Sequence, residues 1–152
     1  MRKEFCDWKE STEFALQYYG EFAEGLSKEI KVGIGSIQAR GRRTSENSDI
    51  RCIKAIEECF RLCPKVPFDI VGYRAGEMTF TDRPYLSASL LLETAQKYSN
   101  EEANQAVHKI IIMSGSKIFP LRALGEIYGD GEAEIIIITE RLKKEDGYYL
   151  YC

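Results

Sequence analysis

Four consecutive isoleucines, Ile135 to Ile138, admit few environments. β-Branched side chains favour extended backbone, and an unbroken apolar run has no polar face to turn toward water. The segment from Glu132 to Thr139 therefore predicts a central strand covered on both sides. A chain built around such a strand must supply the covering layers, and this one supplies them unevenly. Residues 1–63 read as helical and residues 64–152 as strand-rich, with Pro64-Lys65-Val66-Pro67 as a short rigid connector between them.

In the first part, Trp8, Phe14, Ala15, Tyr18, Tyr19, Phe22 and Leu26 recur at helical spacing over residues 7–29. They predict one amphipathic helix, or two separated near Gly20. Ile30 to Ile37 is ambiguous because Gly33 and Gly35 interrupt any regular element. Residues 41–47 read as a loop. A further helix carries Ile50, Ile53, Ile56 and Phe60 and stops before Pro64. In the second part, strands are expected at Phe68 to Arg74, at Met78 to Tyr85 with an interruption at Pro84, and at Ala106 to Met113. A helix is expected from Ser89 to Tyr98, and a glycine-punctuated loop from Ser114 to Gly131. Asp146-Gly147 predicts a turn into a last strand, Tyr148 to Tyr151. Helices first and strands afterward is an α+β arrangement, whereas a doubly wound sheet would alternate them. No Gly-x-Gly-x-x-Gly follows a strand, so a Rossmann nucleotide site is not supported. A length of 152 residues suits one domain.

Composition narrows the partners. With 44% apolar and 30% charged residues the chain is of ordinary globular type. A net charge of −3 gives no electrostatic basis for binding nucleic acid or an anionic membrane. Arg40, Arg42 and Arg43 make too small a basic cluster to alter that. No apolar run is long enough to cross a bilayer. Cys6, Cys52, Cys59, Cys63 and Cys152 are odd in number, and the charged start Met1-Arg2-Lys3-Glu4 does not resemble a signal peptide. These features predict a reducing, cytoplasmic setting, or delivery into a host cell by a route that needs no signal peptide. Cys59 and Cys63 share a helix face, but His108 is the only histidine, and no metal site is expected.

Three places in the strand-rich part suggest chemistry. Arg74 ends an apolar strand, where its planar fork suits a carboxylate or phosphate, although a structural salt bridge would also account for it. Ser87 and Ser89 share one face if their segment is extended, or one of them caps the following helix. Glu132 and Glu134 enter the isoleucine strand, and period-two alternation would put both carboxylates on one face. Exposed, they cost little; partly buried, they repel each other and suit a site that handles a cation.

In their order, Val71-Gly72-Tyr73-Arg74-Ala75-Gly76, Tyr85-Leu86-Ser87-Ala88-Ser89-Leu90 and Gly131-Glu132-Ala133-Glu134-Ile135-Ile136 resemble the arginine–serine–glutamate class of mono-ADP-ribosyltransferases. That class includes bacterial toxins, bacteriophage enzymes and vertebrate ectoenzymes. The layout resembles the class over essentially the whole chain. The resemblance implies two packed, mostly antiparallel sheets forming an NAD cleft, with helices on the N-terminal side. It implies NAD as substrate and a target protein with an accessible arginine as partner. It assigns Arg74 to the NAD phosphates and nicotinamide ribose, and Ser87 to orienting the catalytic glutamate and lining the nicotinamide pocket. Ser89 would play a more structural part. Glu134 would bind the ribose 2′-hydroxyl, and Glu132 would go with arginine as acceptor, where glutamine goes with other acceptors. Ala75 and Gly76 follow the arginine where relatives use backbone atoms to hold nicotinamide; many relatives have glycine in place of Ala75. Ala88 stands where threonine is frequent. Tyr128 is the candidate aromatic for the protein substrate and Phe119 a candidate for stacking near nicotinamide, although either could pack on the core. Two alternatives share these motifs: an NAD glycohydrolase, and a catalytically quiet NAD-binding module of the same fold.

Overall fold

The computed structural model describes residues 2–40, 46–78, 84–101, 105–125 and 133–152, with side chains omitted for 35–40, 46–52 and 101. Helix α1, Trp8–Glu24, starts at Asp7, whose side chain accepts the Glu10 N–H at 2.9 Å. It runs unbroken through Gly20 and buries Phe14, Ala15, Tyr19 and Ala23. The break between helices therefore falls at residues 25–27 and not at Gly20. Ser27 opens helix α2, Lys28–Arg40, by accepting the Ile30 N–H at 3.2 Å. The ambiguous stretch around Gly33 and Gly35 is thus helical, because a cap and packing against the next helix outweigh two glycines. Helix α3, Glu46–Leu62, follows, and Lys117 Nζ donates to the carbonyls of Phe60 and Arg61 at its end.

The strands are β1 (Ile70–Ala75), β2 (Tyr85–Ser89), β3 (Val107–Ile112), β4 (Phe119–Pro120), β5 (Glu134–Ile138), β6 (Leu142–Lys144) and β7 (Tyr149–Tyr151). Helix α4, Leu92–Glu101, lies between β2 and β3, so Ser89 belongs to a strand and the helix begins three residues later than its apolar pattern suggests. The loop expected from Ser114 onward contains β4 and a 3-10 turn at Leu121–Leu124, and β6 has no counterpart in the sequence reading. The strands are hydrogen-bonded in the order β4-β5-β2-β1-β3-β7-β6. Every pairing is antiparallel except β3 with β7. The class is α+β, as expected.

The two sheets expected from the sequence are the two halves of this continuous sheet. Strands β4-β5-β2 and β1-β3-β7-β6 meet through one residue pair, Tyr73 with Ser89. Beside the start of β1, Lys3 forms a parallel bridge to Ile70 in place of a longer β2. Ile135, Ile136 and Ile137 are buried, together with Ile70, Ile110, Ile112, Phe119 and Tyr151. A second cluster packs Val71, Tyr73 and Ile111 against Ala95 of α4.

Tyr151 ties the halves together within this core. Its hydroxyl accepts the Ile138 N–H at 3.0 Å and donates to the Lys117 carbonyl, and burial pushes its pKa up to about 12. Removing the hydroxyl orphans both backbone groups. Tyr151→Phe is expected to cost about 1–3 kcal/mol, lowering Tm by roughly 2–4 °C per kcal/mol in a thermal melt. An unchanged Tm would show that water reaches these groups.

Candidate active site

The site grows from the joint between the half-sheets. After Tyr73 and Ser89 the β1–β2 ladder stops, and Arg74 and Ala75 continue β1 only against β3, where they face His108 and Val107. Ladder carbonyls of β2 beyond the joint need other donors. Arg74 supplies one: Nη1 donates to the Ser87 carbonyl at 2.6 Å, and Nε donates to the Glu77 carbonyl at 2.8 Å. The guanidinium is thereby fixed across the gap between β1 and β2, half-buried.

Glu134 is the first residue of β5. The β2–β5 register sets Ser87 opposite Ile136 and Ser89 opposite Glu134. Ser87 and Glu134 are therefore diagonal neighbours on one sheet face, within reach of each other. Ser87 Oγ donates to Glu134 Oε2 at 2.7 Å. This charge-assisted bond fixes one carboxylate oxygen of a half-buried side chain. Ser89 is buried, and its hydroxyl accepts the Leu91 N–H at 3.0 Å, shaping the turn into α4.

Immediately before Glu134 the backbone departs from strand geometry. Ala133 has φ of 51°, the only positive φ outside glycine among the described residues. Alternation along a strand requires extended backbone at every residue. Alternation in β5 therefore begins at Glu134, and the expectation that Glu132 shares its face falls on a residue outside the described ones. The left-handed conformation costs an alanine about 1–2 kcal/mol and persists only where surroundings impose it. Here Ala133 is buried and its carbonyl accepts the Leu90 N–H at 3.0 Å. The strained residue aims the start of β5, and with it Glu134.

Arg74, Ser87 and Glu134 are thus brought together by β1, β2 and β5, the last of them 47 residues beyond Ser87. Ala75 ends β1, and Gly76 turns away with φ of 97°, giving its N–H to the Ala106 carbonyl at 2.9 Å. Phe119 pairs with Ile136 on the far side of β5 from Ser87 and is 1% exposed, with its ring edge-on to Tyr19 and Phe22 of α1. The ring is thus packed on the core, one of the two placements the sequence left open for it. Tyr128 and Glu132 lie outside the described residues.

No protein-family model and no curated protein matches the chain. Solved structures do. An ADP-ribosyltransferase toxin from Paenibacillus larvae is similar at 13% identity over 99% of this chain and 97% of that one, with a TM-score of 0.67. An ADP-ribosyltransferase from Clostridium botulinum is similar at 14% identity over 99% and 96%, with a TM-score of 0.66. Exoenzyme S from Pseudomonas aeruginosa, bound to Carba-NAD and to human 14-3-3 protein beta, is similar at 11% identity over 95% and 86%, with a TM-score of 0.52. The chain has the ADP-ribosyltransferase fold.

In this ADP-ribosyltransferase fold several residues near the site carry no sequence signal. Glu77 contributes only a carbonyl. Ala133 takes a conformation for which glycine or asparagine would be the usual marker. His108 shares a ladder position with Arg74 and meets Tyr149 edge-on at 5.5 Å. Burial holds its imidazole below the ordinary histidine pKa, the Gly76 backbone opposes that shift, and the charges of Lys144 and Arg74 add to it. The described cysteines are free thiols, and burial pushes the pKa of Cys63 up to about 11, so it is an inert core group. Among the described residues no three His, Cys, Asp or Glu side chains converge on a metal position, and no helix is long and apolar enough to cross a membrane.

Proposed function

We propose that this chain is a mono-ADP-ribosyltransferase that moves ADP-ribose from NAD to an arginine side chain of a target protein and releases nicotinamide. The observation that carries the reading is the Ser87 Oγ to Glu134 Oε2 bond of 2.7 Å, beside a guanidinium tied to the Ser87 carbonyl. It leaves a carboxylate held in place next to a fixed cation, which is what cleavage of NAD needs. Exoenzyme S, which shares the fold, is known with Carba-NAD bound.

In the proposed reaction the bond between ribose C1′ and the nicotinamide nitrogen breaks, and nicotinamide leaves with the electron pair. Positive charge develops on the ribose, as in glycoside hydrolysis. The Glu134 carboxylate, hydrogen-bonded to the ribose 2′-hydroxyl, stabilises that charge where it appears. Arg74 holds the anionic phosphates and the nicotinamide ribose, a task suited to its planar fork. A nitrogen of the acceptor guanidine then bonds to C1′, and Glu132 takes the proton it loses. The assignment of arginine as acceptor rests on Glu132 being glutamate.

Labelled NAD with a host-cell lysate tests this directly. Wild type is expected to label protein, with the label on arginine by mass spectrometry. Glu132→Ala is expected to lose protein labelling while retaining nicotinamide release to water, and Glu134→Ala to lose both. Labelling on another residue type would overturn the arginine assignment. Nicotinamide release with no protein labelled by wild type would favour the glycohydrolase reading.

A further inference from the structure

The turn after Arg74 is held from outside the three motifs. Gly76 donates its N–H to the Ala106 carbonyl at 2.9 Å. The Gln105 side chain lies against the α-carbon of Gly76: a methyl group added there would meet Gln105 Oε1 at 2.7 Å and Cδ at 3.2 Å. Gln105 is itself anchored, since the Ser99 hydroxyl of α4 donates to its carbonyl. The ladder then continues through Val107 opposite Ala75 and His108 opposite Arg74. A chain of contacts thus runs from α4 through Gln105 and Ala106 to the residues that aim the guanidinium.

We infer that Gln105 is a positioning residue for NAD binding: its side chain, carried on backbone that Ser99 anchors, clamps the Arg74-Ala75-Gly76 turn so that Arg74 keeps its place between β1 and β2. The inference rests on the transferase reading for its link to NAD, but the clamp itself is a property of the fold. The influence of Gln105 on the reaction passes through Arg74. Two donors of Arg74 already serve the Glu77 and Ser87 carbonyls, and Glu77 directly follows the clamped glycine. Loosening Gly76 therefore moves the Glu77 carbonyl and releases one of the bonds that fix the guanidinium.

The experiment combines NAD glycohydrolase kinetics with amide hydrogen exchange at Gly76, using the full chain. Gln105→Ala is expected to raise KM for NAD about 3–10-fold, the effect of one lost neutral contact, with kcat within about twofold. It is also expected to speed exchange of the Gly76 N–H without lowering Tm by more than about 2 °C. Gln105→Met keeps the length and bulk over Gly76 and is expected to restore KM to within about twofold of wild type. Ser99→Ala shifts both readouts in the same direction by a smaller factor. Unchanged KM and unchanged Gly76 exchange in Gln105→Ala would overturn the inference, as would parallel losses of kcat and Tm with KM unaltered. If wild type neither binds nor cleaves NAD, the transferase reading falls together with the role in NAD binding. Faster Gly76 exchange in Gln105→Ala would then still establish the clamp.

Discussion

Glu134→Gln is expected to slow nicotinamide release from NAD by about 10²–10³, while binding NAD within a few-fold of wild type and melting at the same temperature. The substitution is isosteric. Glutamine keeps an oxygen to accept the Ser87 hydroxyl, so the 2.7 Å bond between β2 and β5 has a neutral replacement. What it loses is the negative charge that meets the developing charge on the ribose. That charge exists only in the transition state, so the loss falls on kcat and spares binding. Ser87→Ala leaves the carboxylate charged but unoriented, and is expected to cost less. Because the two groups act as a unit, the double variant should be no slower than Glu134→Gln alone. The checks are nicotinamide release for rate and calorimetry for NAD affinity. A rate within tenfold of wild type for Glu134→Gln would falsify the assignment of Glu134 as the catalytic carboxylate.

Gly72→Val is expected to destabilise the fold and to weaken NAD binding from a position with no catalytic part. The first atom of a side chain at 72 would lie 3.3 Å from Ile112 Cδ1, 3.5 Å from the Ser89 carbonyl and 3.6 Å from Ile135 Cδ1. These neighbours come from β3, β2 and β5, so they span both half-sheets. The methyl ends could yield by rotating, but the Ser89 carbonyl is backbone at the residue that joins the halves. Overpacking of a dense interior costs about 1–3 kcal/mol. At this size that lowers Tm by roughly 2–12 °C. Because the displaced atoms include the joint, NAD binding is expected to weaken as well, whereas Tyr151→Phe lowers Tm with little effect on binding. A Gly72→Val protein with wild-type Tm would show that the halves are free to separate by a few tenths of an ångström.

The sequence revealed the elements whose signal is local. Asp7 before an apolar stripe marks α1, and the isoleucine run marks β5. The start of α2 is also written locally, in Gly25 followed by Ser27, but Gly33 and Gly35 obscure it. Strands β4 and β6 have two and three residues, too short for any periodicity, and exist only because β5 and β7 offer them an edge. At the candidate site, residue types were legible because Arg74, Ser87 and Glu134 stand out from the apolar strands that carry them. Their geometry was not. The left-handed Ala133 and the carbonyl partners of Arg74 involve backbone groups, which every residue possesses and no sequence distinguishes. Phe119 was left open for the complementary reason, since an aromatic in a glycine-flanked loop reads the same whether it faces a ligand or the core.

The Ser87–Glu134 bond joins residues 47 apart in the chain. Pairing β2 with β5 therefore requires a long loop to close before any contact repays the lost chain entropy. Helices α1 to α3 face no such delay, because their bonds are local. The pairing of β2 with β5 is accordingly expected to form after the helices. In a refolding experiment the far-ultraviolet helical signal is expected to be regained before nicotinamide release from NAD returns.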